Sequence, residues 1–92
     1  MSYSLQFSSS AKDVIRKWKR DNPNAYKKVC KILEELMDHP RIGTGHPEPL
    51  RGGHDIIWSR RVTANDRIIY DIYDETIEVH IVHVGGHYDD NL

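Results

Sequence analysis

The sequence predicts an α+β fold in the order β-α-α-β-β-β, with a helical hairpin packed on a small twisted sheet rich in antiparallel pairs. Two observations predict this class. Apolar residues recur at helical spacing between residues 11 and 37, and three segments of alternating polarity follow between residues 55 and 84. Their short connections favour an antiparallel meander. A chain of 92 residues fits one domain, 1–92, with a single small core.

The first two predicted elements are a strand and a helix. Residues 3–7 alternate between apolar and polar side chains, which is typical of a short strand. Ser8 or Ser10 is the expected N-cap of the helix that follows. Trp18 belongs to its apolar stripe, while its other face carries five basic residues: Lys12, Arg16, Lys17, Lys19 and Arg20. By default such a face is a solvated helix surface.

A second helix is predicted to follow directly. Asn22 is suited to capping it and Pro23 to its first turn, where the missing N–H costs nothing. Its apolar stripe consists of Tyr26, Val29, Cys30, Leu33, Leu36 and Met37. The helix is expected to end near His39, because Pro40 follows.

A long loop at 40–55 and three strands complete the predicted fold. The loop holds Glu48 between two prolines, which favours an extended backbone at that carboxylate. Loops of this length in compact domains are often functional. The three strands are expected at 55–62, 67–73 and 76–84.

The composition excludes several classes of protein. No apolar run approaches the roughly 20 residues that span a bilayer, and the first residues do not resemble a signal peptide, so a cytoplasmic protein without membrane contact is expected. The single cysteine, Cys30, cannot form an internal disulfide. The net charge of −1 is unevenly distributed: +3 over residues 1–38, +2 over 39–70 and −6 over 71–92. The basic part of the chain can still attract phosphate locally.

The residue types that could carry chemistry lie after residue 45. They are Glu48, Arg51, His54, Arg60, Arg61, Arg67, His83, His87 and Tyr88. Cleavage of RNA by its own 2′-hydroxyl needs a base, an acid for the departing 5′ oxygen, and a cation for the phosphorane-like transition state. A carboxylate, a histidine and planar guanidinium groups suit these three tasks.

Four motifs of the chain together resemble the YoeB/Txe family of type II toxins, in the RelE/ParE superfamily. They are His46-Pro47-Glu48-Pro49-Leu50-Arg51, Ile57-Trp58-Ser59-Arg60-Arg61-Val62, Asp66-Arg67-Ile68-Ile69-Tyr70 and His87-Tyr88. Each motif is weak alone, but their combination is specific and the resemblance extends over nearly the whole chain. It implies a RelE-like fold and a metal-independent, cofactor-free endoribonuclease (an mRNA interferase).

The resemblance also implies residue roles. Glu48 matches the general base, His87 the general acid, Arg67 the residue at the scissile phosphate, and Tyr88 a residue that orients the substrate. Arg51 and Arg61 match positions that contact RNA or phosphate. The implied partners are mRNA in the ribosomal A site and a YefM-like antitoxin, in a homodimer or a toxin–antitoxin hetero-oligomer.

The chain departs from the family near its end. Asp89-Asp90-Asn91-Leu92 follow the His-Tyr pair, and Gly85-Gly86 stand where some relatives have an arginine. The added carboxylates are expected to favour the protonated form of His87 and to repel phosphate.

Simpler interpretations of the charged residues stay open. Glu48 could be a solvated loop acid, and Arg67 could pair with Asp66 or Asp71 on the surface. Arg60 and Arg61 should face opposite sides of their strand, and Arg61 is the one expected at the site.

Several aromatic and histidine residues that have no assigned role in catalysis or RNA binding are expected to be structural. Trp18, Trp58 and Tyr70 are expected in the core. His80 and His83, three residues apart on one strand, are expected on opposite faces, which argues against a zinc site.

A second activity also stays open on the sequence alone. ParE-like toxins share the predicted fold, but they poison DNA gyrase and do not cut RNA. Glu48 and the His87-Tyr88 pair favour the ribonuclease over this alternative.

Overall fold

The computed structural model describes residues 2–86 of the chain. Within that range, two helices and five strands follow one another: β1 (Ser4–Phe7), α1 (Ser9–Asp21), α2 (Pro23–Asp38), β2 (Glu48–Pro49), β3 (Ile57–Arg61), β4 (Arg67–Tyr73) and β5 (Glu78–Gly85). The predicted α+β class is confirmed. Two predicted site residues, His87 and Tyr88, lie outside the described residues.

The strands form one mixed sheet in the order β1-β5-β4-β3-β2. The predicted meander is present, because β4 pairs antiparallel with both β3 and β5. β1 pairs parallel with β5, with Leu5 opposite Val79. The sheet therefore places β4 at its centre and β1 and β2 at its two edges.

Side-chain caps fix the starts of both helices, as predicted. The Ser8 hydroxyl accepts a hydrogen bond from the Ala11 N–H at 3.1 Å, which begins α1. The Asn22 side chain accepts one from the Ala25 N–H at 3.4 Å, and Pro23 occupies the first turn of α2. The two helices consequently share a short joint and form the expected hairpin.

The hydrophobic core lies between the helical hairpin and one face of the sheet. Its buried residues include Val29, Ile32 and Leu36 of α2, opposite Ile68 and Tyr70 of β4. The expectation that Trp18, Trp58 and Tyr70 belong to the core is confirmed, since Tyr70 is fully buried and both tryptophans pack against the cluster. No helix within residues 2–86 is long and apolar enough to cross a membrane.

The segment predicted as an unbroken loop at 40–55 contains the short strand β2. Glu48 lies opposite Ser59 and Pro49 opposite Trp58 in the antiparallel pair with β3. Pro49 lacks an N–H but lies at the sheet edge, where no donor is required. The Leu50 N–H donates to the Ile57 carbonyl at 2.8 Å and extends the pairing. The catalytic candidate Glu48 is therefore held by the sheet itself.

A β-bulge in β5 overturns the prediction for the two strand histidines. Ile69 lies opposite His83, but the next residue, Tyr70, lies opposite Ile81. Val82 is thus an extra residue in β5, and the alternation of side chains shifts by one there. His80 and His83 consequently lie on the same face of the sheet, the face away from the helices.

Candidate active site

Strand register gathers the predicted site residues on one face of the sheet. Glu48 lies opposite Ser59, and Arg61, two residues beyond Ser59, lies opposite Arg67. Directly opposed residues, and residues two apart on a strand, share a face. All four side chains therefore lie on the face of β2, β3 and β4 that the helices leave uncovered.

These residues line a cavity of about 370 Å³, together with the turn that leads into β2. The lining residues are Gly45, His46, Glu48, Ser59, Arg61 and Arg67. Three predicted site residues, Glu48, Arg61 and Arg67, are brought together here. Arg51 is exposed in the loop after β2 and is not among the lining residues.

The arginines of the cavity differ from most other described arginines in lacking a carboxylate partner. Within residues 2–86, Arg16, Arg20, Arg41 and Arg60 each form a salt bridge. Arg51, Arg61 and Arg67 form none in that part of the chain. The surface pairing of Arg67 with Asp66 is absent there, since the Asp66 carboxylate instead accepts a hydrogen bond from the Thr63 hydroxyl at 2.6 Å.

Arg61 and Arg67 also face each other directly across β3 and β4. Like charges at directly opposed positions destabilise a sheet, by a few tenths of a kcal/mol up to about 1 kcal/mol. An anion between the two guanidinium groups would remove this repulsion and receive their hydrogen bonds. The cavity is therefore suited to a phosphate group.

Arg60, the neighbour of Arg61, points to the opposite side and is fully buried. Its guanidinium donates to the Glu35 carboxylate at 2.7 Å and to the carbonyls of His39 at 2.7 Å and Ile42 at 2.8 Å. Its Nε donates to the Tyr70 hydroxyl at 3.1 Å. The prediction that Arg61, and not Arg60, faces the site is thus consistent with this geometry, and Arg60 connects α2, β4 and the loop before β2.

The Glu35 carboxylate completes this network. It accepts hydrogen bonds from both the N–H and the hydroxyl of Thr44, each at 2.7 Å. Burial alone raises the pKa of Glu35, but the hydrogen bonds from Thr44 and Arg60 outweigh it and leave the pKa below its usual value. Burial raises the pKa of Tyr70, whose hydroxyl donates to the Pro40 carbonyl at 2.9 Å. These hydrogen bonds fix the first residues of the loop before β2 to α2, β3 and β4.

The turn that carries His46 is anchored on β3. The Arg61 N–H donates to the Gly45 carbonyl at 2.6 Å. Gly45 has a φ of +88°, and a Cβ there would lie 2.5 Å from the Arg61 carbonyl oxygen, so only glycine fits. His46 follows with a φ of +53°.

His46 is absent from the residues predicted for the site. Strand alternation could not have found it, because His46 lies in the turn before β2 with a left-handed backbone and is not part of an extended segment.

The two strand histidines make separate interactions on the same face. His80 is hydrogen-bonded to the Glu78 carboxylate at 2.7 Å and its ring lies 4.7 Å from that of Tyr73. A ring nitrogen of His83 lies 3.0 Å from the Gly86 carbonyl oxygen. Among residues 2–86, no three His, Cys, Asp or Glu side chains form a group that could hold a metal ion.

Comparison with known proteins identifies the family. Residues 7–88 match the model of the YoeB-like toxin of bacterial type II toxin–antitoxin systems. The chain belongs to this family. Toxin YoeB of Escherichia coli strain CFT073 is 30% identical over 73 residues, which is 79% of this chain and 87% of that protein. The mRNA interferase toxin RelE of E. coli K12 is 27% identical over 92% of this chain and 83% of its own length.

Solved structures agree with this assignment. The YoeB/ParE toxin from Agrobacterium tumefaciens is 28% identical, with a TM-score of 0.83 over 92% of this chain and 99% of that one. The toxin fold in the YoeB–YefM complex from Staphylococcus aureus matches with a TM-score of 0.79 over 96% of this chain and all of that one. At 24% identity, the second likeness concerns the fold alone.

Proposed function

We propose that this YoeB-family toxin is a metal-independent endoribonuclease that cleaves mRNA in the ribosomal A site. The observation that carries the proposal is the cavity in which the Glu48 carboxylate lies with Arg61 and Arg67, two cations without carboxylate partners among residues 2–86. The name of the E. coli relative RelE, an mRNA interferase toxin, supports the same activity.

The proposed reaction uses the ribose adjacent to the scissile phosphate as its nucleophile. Glu48 accepts the proton of the 2′-hydroxyl, and the resulting oxygen attacks phosphorus. Arg67, assisted by Arg61, stabilises the additional negative charge on the phosphorane-like transition state. Bidentate hydrogen bonds from a planar guanidinium match the oxygens of a phosphate. The products are a 2′,3′-cyclic phosphate and a 5′-hydroxyl.

The remaining roles rest on the family resemblance and stay predictions. His87 is the proposed general acid, Tyr88 the proposed residue that orients the substrate, and Arg51 a proposed RNA contact outside the cavity.

The proposed partners follow from the same family. A YefM-like antitoxin would neutralise the toxin in a hetero-oligomer, as suggested by the YoeB–YefM complex whose toxin shares this fold. A homodimer is the proposed form of the toxin alone, since a YoeB dimer from S. aureus is another structural neighbour. The cytoplasm, where mRNA is translated, is the proposed location.

The proposal is tested with the full chain, ribosomes programmed with a short synthetic mRNA, and analysis of the RNA ends. We expect cleavage within the A-site codon that leaves a 2′,3′-cyclic phosphate. Glu48→Gln should slow it by about 10²–10⁴-fold, the range typical of a lost general base. Glu75→Gln is the matched control, because Glu75 is an exposed carboxylate in the turn between β4 and β5, away from the cavity.

A second substrate tests the chemistry directly. Replacing the 2′-hydroxyl at the cleaved position with hydrogen removes the nucleophile, so cleavage there should stop. Continued cleavage of the deoxy substrate, or products with 3′-hydroxyl ends, would contradict the proposed mechanism.

A further inference from the structure

We propose that His46 is a second proton donor of this site, so that the departing 5′ oxygen takes its one proton in each turnover from either His46 or His87. The resemblance to the family assigns that role to His87 alone. This inference rests on the proposed ribonuclease function and adds a catalytic residue to it.

The position of His46 brings it to the reacting groups. Its side chain lines the same cavity as Glu48, Arg61 and Arg67. At about 370 Å³, that cavity lies at the small end of the roughly 300–1,000 Å³ typical of ligand pockets. A phosphate held by the two arginines therefore lies within reach of the other lining side chains, including His46.

The backbone around His46 is fixed on both sides. Before it, the Gly45 carbonyl accepts the 2.6 Å hydrogen bond from the Arg61 N–H, so the turn is attached to the strand that carries a phosphate-binding arginine. After it, Pro47 restricts the chain and Glu48 enters β2. A group that transfers a proton benefits from such fixed placement, because the geometry for transfer exists before the substrate arrives.

The conformation of His46 is itself uncommon. Its φ of +53° lies in the left-handed region, which non-glycine residues rarely adopt and which costs of order 1–3 kcal/mol. The anchoring of Gly45 on β3 maintains it. Strained residues of this kind cluster at active sites, where the surrounding fold holds a side chain in a required position.

The imidazole of His46 also remains available for a substrate. It is exposed to the cavity and makes no hydrogen bond to another described residue, whereas the rings of His80 and His83 are engaged with Glu78 and Gly86. A protonated histidine carries two N–H donors, one of which can meet a phosphate ester oxygen.

The proposed step balances in protons and bonds. The 2′ oxygen forms its bond to phosphorus as Glu48 takes the 2′ proton, and the bond from phosphorus to the 5′ oxygen breaks. The imidazolium of His46 gives its proton to that 5′ oxygen and becomes neutral. Exchange with water then returns the proton from Glu48 to solvent and reprotonates His46.

Three variants separate proton donation from the other roles that His46 could play. His46→Asn removes the transferable proton while keeping a residue that tolerates a left-handed backbone. His46→Arg keeps a positive charge but cannot give up a proton. His54→Asn is the matched control, since His54 is an exposed histidine with a φ of +54° that lines a different cavity.

The decisive measurement compares two substrates on programmed ribosomes, one normal and one with sulfur in place of the 5′ oxygen at the cleaved bond. A thiolate departs without protonation, so the loss of an acid no longer matters there. We expect His46→Asn and His46→Arg to cleave the normal substrate at least about tenfold more slowly and the sulfur substrate at nearly the wild-type rate. Glu48→Gln should cleave both substrates slowly, whereas His54→Asn should cleave both at the wild-type rate.

Three results would overturn the inference. Equal losses on both substrates, or full activity of His46→Arg, would mean that His46 only contacts the substrate. If His46→Asn cleaves the normal substrate as fast as the wild type, and adding it to His87→Asn causes no further loss of rate, His46 has no role in the reaction. If the wild type leaves the normal mRNA intact, the proposed ribonuclease function fails instead.

Discussion

Replacing Arg60 with lysine is expected to destabilise the fold severely although the charge is conserved. The fully buried guanidinium donates five hydrogen bonds, and the acceptors lie on Tyr70, Glu35, Thr44, His39 and Ile42. Lysine has three N–H donors on one nitrogen and lacks the planar fork. At least two of the five acceptors would therefore lose their donor.

The size of the effect follows from that count. An acceptor left unsatisfied in the interior costs about 1–3 kcal/mol, so two of them cost about 2–6 kcal/mol. We expect Arg60→Lys to lower the free energy of unfolding by about 4 kcal/mol, a large part of the total of roughly 5–15 kcal/mol that domains possess.

Urea denaturation followed by circular dichroism measures this loss. With a slope of about 1 kcal/mol per molar urea, the midpoint should fall by about 4 M. Arg61→Lys is the matched control on the adjacent residue: its side chain is exposed on the other face, so its free energy of unfolding should change by less than about 0.5 kcal/mol. A loss below about 1 kcal/mol for Arg60→Lys, or equal losses for both variants, would refute this account of the network.

Three further predictions concern pH, the turn and the cavity. Burial raises the pKa of Glu35, but its hydrogen bonds outweigh that effect and hold the pKa below the ordinary 4.5. The stability that the Glu35 carboxylate contributes should therefore be fully present above pH 4.5 and be lost as the pH falls through the lowered pKa. A plot of the unfolding free energy against acidic pH should accordingly be flatter for Glu35→Gln than for the wild type. Gly45→Ala should destabilise the protein by about 2 kcal/mol more than Gly52→Ala in thermal unfolding, because both have positive φ but only Gly45 meets backbone atoms; equal effects would argue against the close contact. Arg67→Gln should raise the unfolding free energy by a few tenths of a kcal/mol, because it removes the repulsion with Arg61. In RNA binding, the plot of log affinity for single-stranded RNA against log salt concentration should become less steep by about 0.7. An unchanged slope would mean that Arg67 does not contact phosphate.

The order of the elements and the opposed faces of Arg60 and Arg61 could be predicted from sequence because they depend on local patterns. Helix caps, helical spacing and strand alternation each involve residues close together in the chain. Ser8, Asn22 and Pro23 behave as their types suggest, and the parity of a regular strand was enough to separate the two arginines.

The features that escaped prediction depend on contacts between distant segments. β2 exists because its two residues pair with β3, and nothing in the proline-rich loop alone indicates that partner. The bulge at Val82 arises from the register between β4 and β5, so strand alternation alone wrongly predicts opposite faces for His80 and His83. The placement of His46 depends on both the turn at Gly45 and its hydrogen bond to β3, and neither is visible in the motif.

The most direct test of the central claim maps mRNA 5′ ends in cells after induced expression of the wild type and of Glu48→Gln. The proposed function predicts new ends inside translated codons with the wild type, and their loss with the variant at equal protein levels. Intact mRNA despite growth arrest, accompanied by DNA damage, would contradict it. That result would favour a gyrase poison and remove the proposed role of Glu48.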